Sequence, residues 1–527
     1  MIKKLVLVSV AIFLNFITYS QKIEEYQQII DDYEIKSDKY TEPWRAQYHF
    51  SNIQGWMNDP NGMVYNNGVW HLGYQHGLHL FESTSWGYAT STDLIHWDQQ
   101  TPMLYGEPQK SYWSGCAIVD HNNTSGLFST NEGGIIAYYT VMDTSPEAEA
   151  DKKFQDIRIA YTEDDWKTYK QYENNPVIPK QTFRGLRDPK VFYHESSNKW
   201  FMIIAQWETK KTGIYESENL LDWKKSFEIP YQTECPDLFP LAVDGDATNK
   251  KWIINLGGRK FVIGNFDGKS FTEISNQPAN FGEDAYAAQS FANAPNNRVV
   301  VMNWFMHWNY GPLPTKPFSG GHQTLPLELS LKTIKDHSGK EKLHVYQNPV
   351  ENLKSLRYNT KVWSDLCFKG SKKLEGLAGK SVEIEMTLDP FQTKEFALNV
   401  FSNKSGSQKT VIGFNAEKNE VYVDRSKSSD YKFKLDGTLP NGKPKQSRYY
   451  LNDGKYDAPV RLIDRKLKLR IFLDQSTVEV FVNDGEQVIN TIVFPNKESS
   501  FISLHSKGGK VKIEDLKLHQ MKSIWRE

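Results

Sequence analysis

Two aspartates and one glutamate stand in turns that share a pattern. Asp59 lies in the run WMNDPNG (56–62), Asp188 in the run RDP (187–189) and Glu234 in the run ECPD (234–237). Pro, Gly and Asn punctuate turns, so any one run alone is equally a polar surface turn. Read together, they place three carboxylates at corresponding points of three similar segments. Like charges gathered in a confined site raise each other's pKa, a cost that points to use. Such a group suits cleavage of a glycosidic bond, in which one carboxylate attacks the anomeric carbon and a carboxylic acid protonates the leaving oxygen. Arg187 beside Asp188 offers a planar pair of donors for a hydroxyl or carboxylate. Trp56, Trp86 and Trp113 offer flat faces for a sugar ring. Oxygen ligands also suit calcium, but calcium sites gather acids at close spacing in one loop, and these acids are far apart in sequence.

The segments that carry the acids repeat. After Asp59-Pro60 come an apolar run at 63–65, a turn at Asn66-Asn67-Gly68 and a second run at 69–72. The same outline follows Asp188-Pro189 (191–193, then 200–204) and Pro236-Asp237 (238–241, then 252–254). Two further units lack the acid: 114–119 with 135–138, and 288–291 with 299–302. A second turn, rich in Asp and Asn, recurs at 91–97, 162–166, 217–223 and 266–271. Five units of short strands between about residues 48 and 308 predict a five-bladed β-propeller, the competing architecture being a β-sandwich with accidental turn similarity. In a propeller the innermost strand of each blade lines the axis, so the acids are expected together at one mouth.

Around 351–357 the pattern turns briefly helical, and residues 351–375 are expected to link two domains. From about residue 376, alternation with period two returns at 382–386, 467–472 and 478–482, closed by a hairpin turn at Asn483-Asp484-Gly485. This predicts a β-sandwich to residue 527, an all-β chain throughout, with the propeller over 21–350. The sandwich shows no acid or histidine cluster that would carry chemistry, so bracing the propeller is its expected role.

Bulk properties bound the partners. In 527 residues, 63 Lys and Arg oppose 64 Asp and Glu, leaving a net charge of −1 and no field that favours nucleic acid. Cys116, Cys235 and Cys367 form neither a metal spacing nor a disulfide framework. Residues 1–20 read as a secretory leader: Lys3-Lys4, an apolar run at 5–17, then Thr18-Tyr19-Ser20. The run is too short to span a bilayer. Export to the periplasm or the medium is expected, followed by a short helical lead-in over 22–36.

WMNDPNG, RDP and ECPD, in this order and spacing, resemble glycoside hydrolase family 32, which contains invertases, inulinases and levanases. WGYATSTDLIHW (86–97), WSGCAIVD (113–120), DAYAAQSF (284–291) and LRIFLDQSTVEVFVNDGE (469–486) are similar to that family as well. The resemblance covers the chain beyond the leader and implies a five-bladed propeller followed by a β-sandwich. It implies Asp59 as nucleophile, forming a covalent fructosyl intermediate, and Glu234 as general acid and then base. Asp188 would hold fructose hydroxyls and steady the transition state. Asn58, Gln75, Trp86, Ser114 and Arg187 match positions that shape the fructose pocket; Trp56, Trp113 and Trp308 complete the expected substrate-binding set. No metal or organic cofactor is implied. The substrate would be a fructan or sucrose, with a fructosyltransferase or a carbohydrate-binding homologue of little turnover as alternatives. The chain departs from the family pattern at Gly73 to Leu78, at Tyr88, at Thr233, at Phe318-Ser319-Gly320 and at Leu327. These departures bear on the pocket rim and on leaving-group preference rather than on the three acids.

Overall fold

The computed structural model describes residues 40–525 except 78–83, 108, 153, 309–317, 320, 336–338 and 430–453, together with residues 24, 27 and 28. The leader expected over 1–20, and most of the lead-in expected over 22–36, lie outside the described residues.

Each sequence repeat is an antiparallel sheet. The first blade runs outward through Gly55–Asn66, Val69–Gly77, Ser85–Ser91 and Asp98–Leu104. The second runs through Lys110–Asp120, Gly134–Asp143, Gln155–Thr162 and Lys170–Gln171, and the third through Leu186–His194, Lys199–Gln206, Lys211–Ser217 and Lys224–Ile229. The fourth comprises Pro236–Val243, Asp246–Leu256, Lys260–Phe266 and Phe271–Pro278. The fifth comprises Ala285–Ser290, Val300–Phe305, Leu327–Lys335 and Glu341–Pro349, and meets the fourth through one parallel pairing, Val243 with Leu331. The five leading strands touch one another in sequence around a ring, and the last touches the first. Paired backbone bonds close it: Tyr65 N–H donates to Ala292 O at 2.9 Å and Ala292 N–H to Met63 O at 2.9 Å. The fold is a five-bladed β-propeller.

The second sequence repeat is a structural device between the third and fourth strands of blades. Oδ1 of Asp93 accepts from the amides of Ile95 and His96, Oδ1 of Asn219 from Leu221 and Asp222, and Oδ1 of Asp267 from Lys269 and Ser270. A short acceptor side chain two or three residues upstream caps these amides in the manner of an Asx turn. In two of the turns a leucine takes positive φ, Leu94 at 69° and Leu220 at 67°, and its carbonyl accepts from the indole of Trp97 or Trp223 at 3.1 Å. The tryptophans at this spacing are therefore turn locks.

Residues 351–375, expected as a linker, contain one. It is only the 3-10 turn Glu351–Leu356; residues Arg357–Lys372 form a 16-residue strand paired with Phe501–Met521. Most of that strand is exposed, so it carries little of the apolar alternation that marks a strand in sequence. Phe501–Met521 is the shared spine of the second domain. Its first part pairs with Glu395–Ser402 and its later part with Ser381–Asp389, with Gly508 at φ 83° between them. The two layers enclose one aliphatic core that includes Ile384, Leu398, Ile412, Val480 and Leu504. This is the expected β-sandwich.

The sandwich is fastened to the propeller by polar bonds as well as by packing. Tyr48, Phe50, Leu325 and Leu327 share a buried cluster with Phe472, Phe481 and Val488. Buried within the contact, His49 bonds Asp474 Oδ2 at 2.9 Å and Glu479 Oε1 at 3.2 Å. Burial works against a charge on His49, but the two carboxylates outweigh it and raise its pKa from 6.5 to about 9. Asp284 and Arg425 pair at 2.6 Å, and Asp284 also accepts from Thr491 Oγ1 and Ile492 N.

Candidate active site

The leading ends of the inner strands are irregular, and the irregularity aims the functional side chains. The first strand slips register between Met57 and Pro60, at Asn58-Asp59, and again before Val64. The second slips between Trp113 and Gly115, at Ser114. Asp188, Cys235 and Ala287 hold positive φ of 59°, 45° and 54° on the third, fourth and fifth. A bulge or a left-handed residue turns a side chain that would face a neighbouring blade toward the axis instead. Such conformations cost of order 1–3 kcal/mol and gather at functional sites. In the first strand Gly62, at φ 53°, keeps the turn tight over the ring of Trp86, where a Cβ would stand 2.8 Å from Cζ3.

Asp59, Asp188 and Glu234 converge. Asp59 Oδ2 accepts from Ser114 Oγ at 2.7 Å and from the Cys235 thiol at 3.4 Å, and Oδ1 accepts from Asn58 Nδ2 at 3.2 Å. Asp188 Oδ2 accepts from the Cys235 amide at 3.0 Å and lies 3.7 Å from Arg187 Nε. Arg187 Nη2 donates to Glu234 Oε1 at 2.6 Å, and the hydroxyl of Tyr286 donates to Oε2 at 2.9 Å. Cys235 thus reaches both aspartates, one through its side chain and the other through its backbone. Arg187 meets two of the three carboxylates, Asp188 and Glu234, and the ionisation of the acids reflects that imbalance. Burial raises Asp59 above 3.8 and the charge of Glu234 adds to the rise, while Ser114, Asn58 and Cys235 pull it back. Burial lifts Asp188 to about 7 against the pull of Arg187, with Asp59 and Glu234 adding to the lift. The Cys235 thiol is pushed far above its usual range by burial and the three acids, so it stays protonated and donates.

Around the acids runs a chain of amides and hydroxyls. Trp56 Nε1 donates to Asn58 Oδ1 at 2.8 Å, Asn58 Nδ2 to Gln75 Oε1 at 2.8 Å, and Gln75 Nε2 to Ser114 Oγ. Behind it, Thr140 Oγ1 accepts from the Asp188 amide at 2.9 Å and donates to the Ser114 carbonyl at 2.9 Å, tying the second and third blades together. The sequence-predicted residues Asn58, Gln75, Ser114 and Arg187 are therefore all in contact with the acids or with one another.

The tryptophans divide. Trp308 is exposed and stacks on Trp56, with ring centroids 5.5 Å apart. Trp113 is half-buried. Trp86 and Trp56 are wholly buried, which corrects the expectation that each presents an open ring face. Trp86 packs among Val64, Tyr112 and Tyr139 and donates to the Trp113 carbonyl at 3.0 Å, so it supports the pocket from behind. Aromatic residue type cannot distinguish these uses, since the same ring suits a core and a sugar.

Sequence reasoning did not single out Tyr286, Cys235 or Thr140 as site residues. Tyr286 could have been found, because it stands at the leading end of the fifth repeat, where three other units carry acids. Thr140 carries no signal, being one hydroxyl in a β-rich second strand. A cavity of about 760 Å3 opens elsewhere, along the later residues of the inner strands, between Ile118–Asn122, Lys190–Tyr193, Leu238–Pro240 and Ser290–Asn293. It lies at the trailing ends and contains none of the three acids.

Three carboxylates, an arginine and a chain of amides at one mouth of a β-propeller are the parts that glycoside hydrolysis needs, and the class is that of a glycoside hydrolase. The comparisons agree in detail: the chain belongs to glycosyl hydrolases family 32, whose N-terminal domain description matches residues 49–349 and whose C-terminal description matches residues 352–520. A levanase of Bacillus subtilis (strain 168) is 35% identical over 520 residues, covering 93% of this chain and 72% of that protein. An extracellular exo-inulinase of Aspergillus ficuum is 32% identical, covering 92% and 96%. The crystal structure of exo-inulinase from Aspergillus awamori superposes with a TM-score of 0.80 at 29% identity, covering 92% of this chain and all of that one. The boundary between the two family domains falls at the 3-10 turn, which accords with the short connection seen here.

Proposed function

We propose that this enzyme is an exported, retaining β-fructofuranosidase that removes fructose from the non-reducing end of fructans and sucrose. The observation that carries the reading is the convergence of Asp59, Asp188 and Glu234 on one pocket, each with its own set of donors. The levanase and exo-inulinase relatives support a fructan as substrate, and the extracellular relative together with the leader-like residues 1–20 supports export. Among the described residues no helix is long and apolar enough to cross a membrane.

In this reading a carboxylate oxygen of Asp59 attacks the anomeric carbon of the terminal fructose. As the bond to the leaving oxygen breaks, Glu234 gives that oxygen its proton. The covalent fructosyl–Asp59 ester is then hydrolysed: Glu234 takes a proton from water, the water oxygen bonds the anomeric carbon, and Asp59 leaves as carboxylate. Asp188 holds ring hydroxyls while positive charge develops on the sugar. The Ser114, Asn58 and Cys235 donors stabilise Asp59 as an anion, in which form it attacks and leaves.

The test is a time course of the purified protein on sucrose, inulin and levan, with products resolved by anion-exchange chromatography. Free fructose is expected as an early product from at least one of the three, accompanied by an equal amount of glucose where sucrose is cleaved. Failure to cleave any of them, or a ladder of oligosaccharides without free fructose, would overturn the reading.

A further inference from the structure

Trp207 is an exposed indole at a place where packing alone does not require one. It begins the turn between the second and third strands of the third blade, and 42% of it is exposed. Its backbone is fixed on both sides. The Trp207 amide donates to the Gly185 carbonyl at 3.0 Å, and its carbonyl accepts from Gln232 Nε2 at 3.0 Å. Gly185 takes φ 82°, and a Cβ there would stand 2.6 Å from Trp207 Cβ and 2.9 Å from Arg187 Nη1. A side chain at 185 would therefore collide with the base of Trp207 and with the Arg187 guanidinium. The Arg187 Cζ sits 5.1 Å from the indole centroid, within cation–π range. The same guanidinium donates to Glu234 at 2.6 Å. The Arg187 side chain is 12% exposed against 34% for Glu234, so the guanidinium lies between two groups that both reach solvent, Glu234 and Trp207.

We infer that Trp207 forms a wall of the subsite for the leaving sugar and sets the preference for what is attached to the terminal fructose. The inference rests on the proposed β-fructofuranosidase reading. A general acid protonates the oxygen of the leaving group, so the leaving group lies on the Glu234 side of the pocket. Arg187 joins Glu234 to an indole held by two backbone bonds. Flat aromatic faces pack against the C–H faces of sugar rings, and the fixed backbone lowers the entropy cost of presenting one. The ligand class is a second sugar ring, the penultimate fructosyl unit of a fructan or the glucosyl unit of sucrose. A mere clamp on Arg187 is the competing role, and it predicts losses that do not depend on the leaving group.

The experiment compares the full-length enzyme with Trp207→Ala and Trp207→Phe on methyl β-D-fructofuranoside, whose leaving group carries no second ring, and on fructan trisaccharides of the β-2,1 and β-2,6 linkages. For Trp207→Ala, the ratio of kcat/KM on trisaccharide to kcat/KM on the methyl fructoside is expected to fall about tenfold for at least one linkage, chiefly through KM. Trp207→Phe is expected to restore most of that ratio. An unchanged ratio for both linkages overturns the inference, whether the two activities fall together or neither falls. Parent enzyme inactive on every one of these fructosides would instead overturn the β-fructofuranosidase reading, and this inference with it.

Discussion

The hydroxyl of Ser114, at the register slip of the second blade, donates to Asp59 Oδ2 at 2.7 Å across the boundary with the first blade. That bond favours the ionised form of Asp59, which burial disfavours. Replacement Ser114→Ala removes it and lets the Asp59 pKa rise further. In the proposed mechanism Asp59 attacks as a carboxylate, so the acidic limb of the kcat/KM profile is expected to move to higher pH. Loss of a hydrogen bond to a charged group costs about 1.5–3 kcal/mol, which corresponds to a fall of roughly ten- to a hundredfold in kcat/KM. The pH–rate profile of the variant checks both, and an acidic limb that stayed in place would separate Ser114 from the ionisation of Asp59.

Tyr286 contributes one donor to Glu234, on the oxygen that Arg187 does not hold. Its ring is partly buried beside Arg259, whose guanidinium lies 5.0 Å from the ring centroid, so Tyr286→Phe preserves the packing and removes only the hydroxyl. A drop of about tenfold or more in kcat, with a much smaller change in KM, is the expected result, because in the proposed mechanism the bond orients a group that acts in the transition state. Steady-state kinetics on sucrose or a short fructan measures it. An equal rise of KM at constant kcat would instead make Tyr286 a substrate-binding group.

The junction between the domains is expected to be sensitive to alkaline pH. His49 titrates at about 9 in the folded protein, against an unperturbed 6.5, because Asp474 and Glu479 outweigh its burial. A raised pKa means that folding takes up a proton. The stabilisation is therefore fully present below pH 6.5 and is lost as the pH rises through about 9. Thermal unfolding between pH 6 and 9.5 should show Tm falling across this window, and His49→Gln should flatten that part of the curve. Asp474→Asn leaves a buried histidine with a weaker partner and is expected to cost about 3 kcal/mol at pH 6.

Much of this architecture was legible in the sequence, and the reasons differ from residue to residue. The acids could be aligned because each blade must begin with a turn onto the axis, and turn chemistry is written locally in Asn, Asp, Pro and Gly. The Asp93, Asn219 and Asp267 turns were legible for the same reason. The strand Arg357–Lys372 was hidden because its residues are mostly exposed and show little apolar alternation. The complete burial of Trp86 was hidden because it depends on the second blade, where Tyr112 and Tyr139 lie against it. Cys235 was visible as part of the Glu234 turn, but its bond to Asp59 joins residues 176 positions apart. Pairings of that kind are fixed by the closure of the ring rather than by local pattern.

The central claim is that Asp59 forms the bond to fructose. The most direct test is the rate of fructose release by Asp59→Asn, with circular dichroism and Tm recorded on the same preparation. The change keeps the size of the side chain; its remaining oxygen can still accept from Asn58 Nδ2 while its new amide nitrogen can donate to Ser114 Oγ, so the fold is expected to match the parent. Fructose release is expected to fall by about 10,000-fold or more. A folded Asp59→Asn enzyme that released fructose from sucrose or fructan near the parent rate would contradict the assignment.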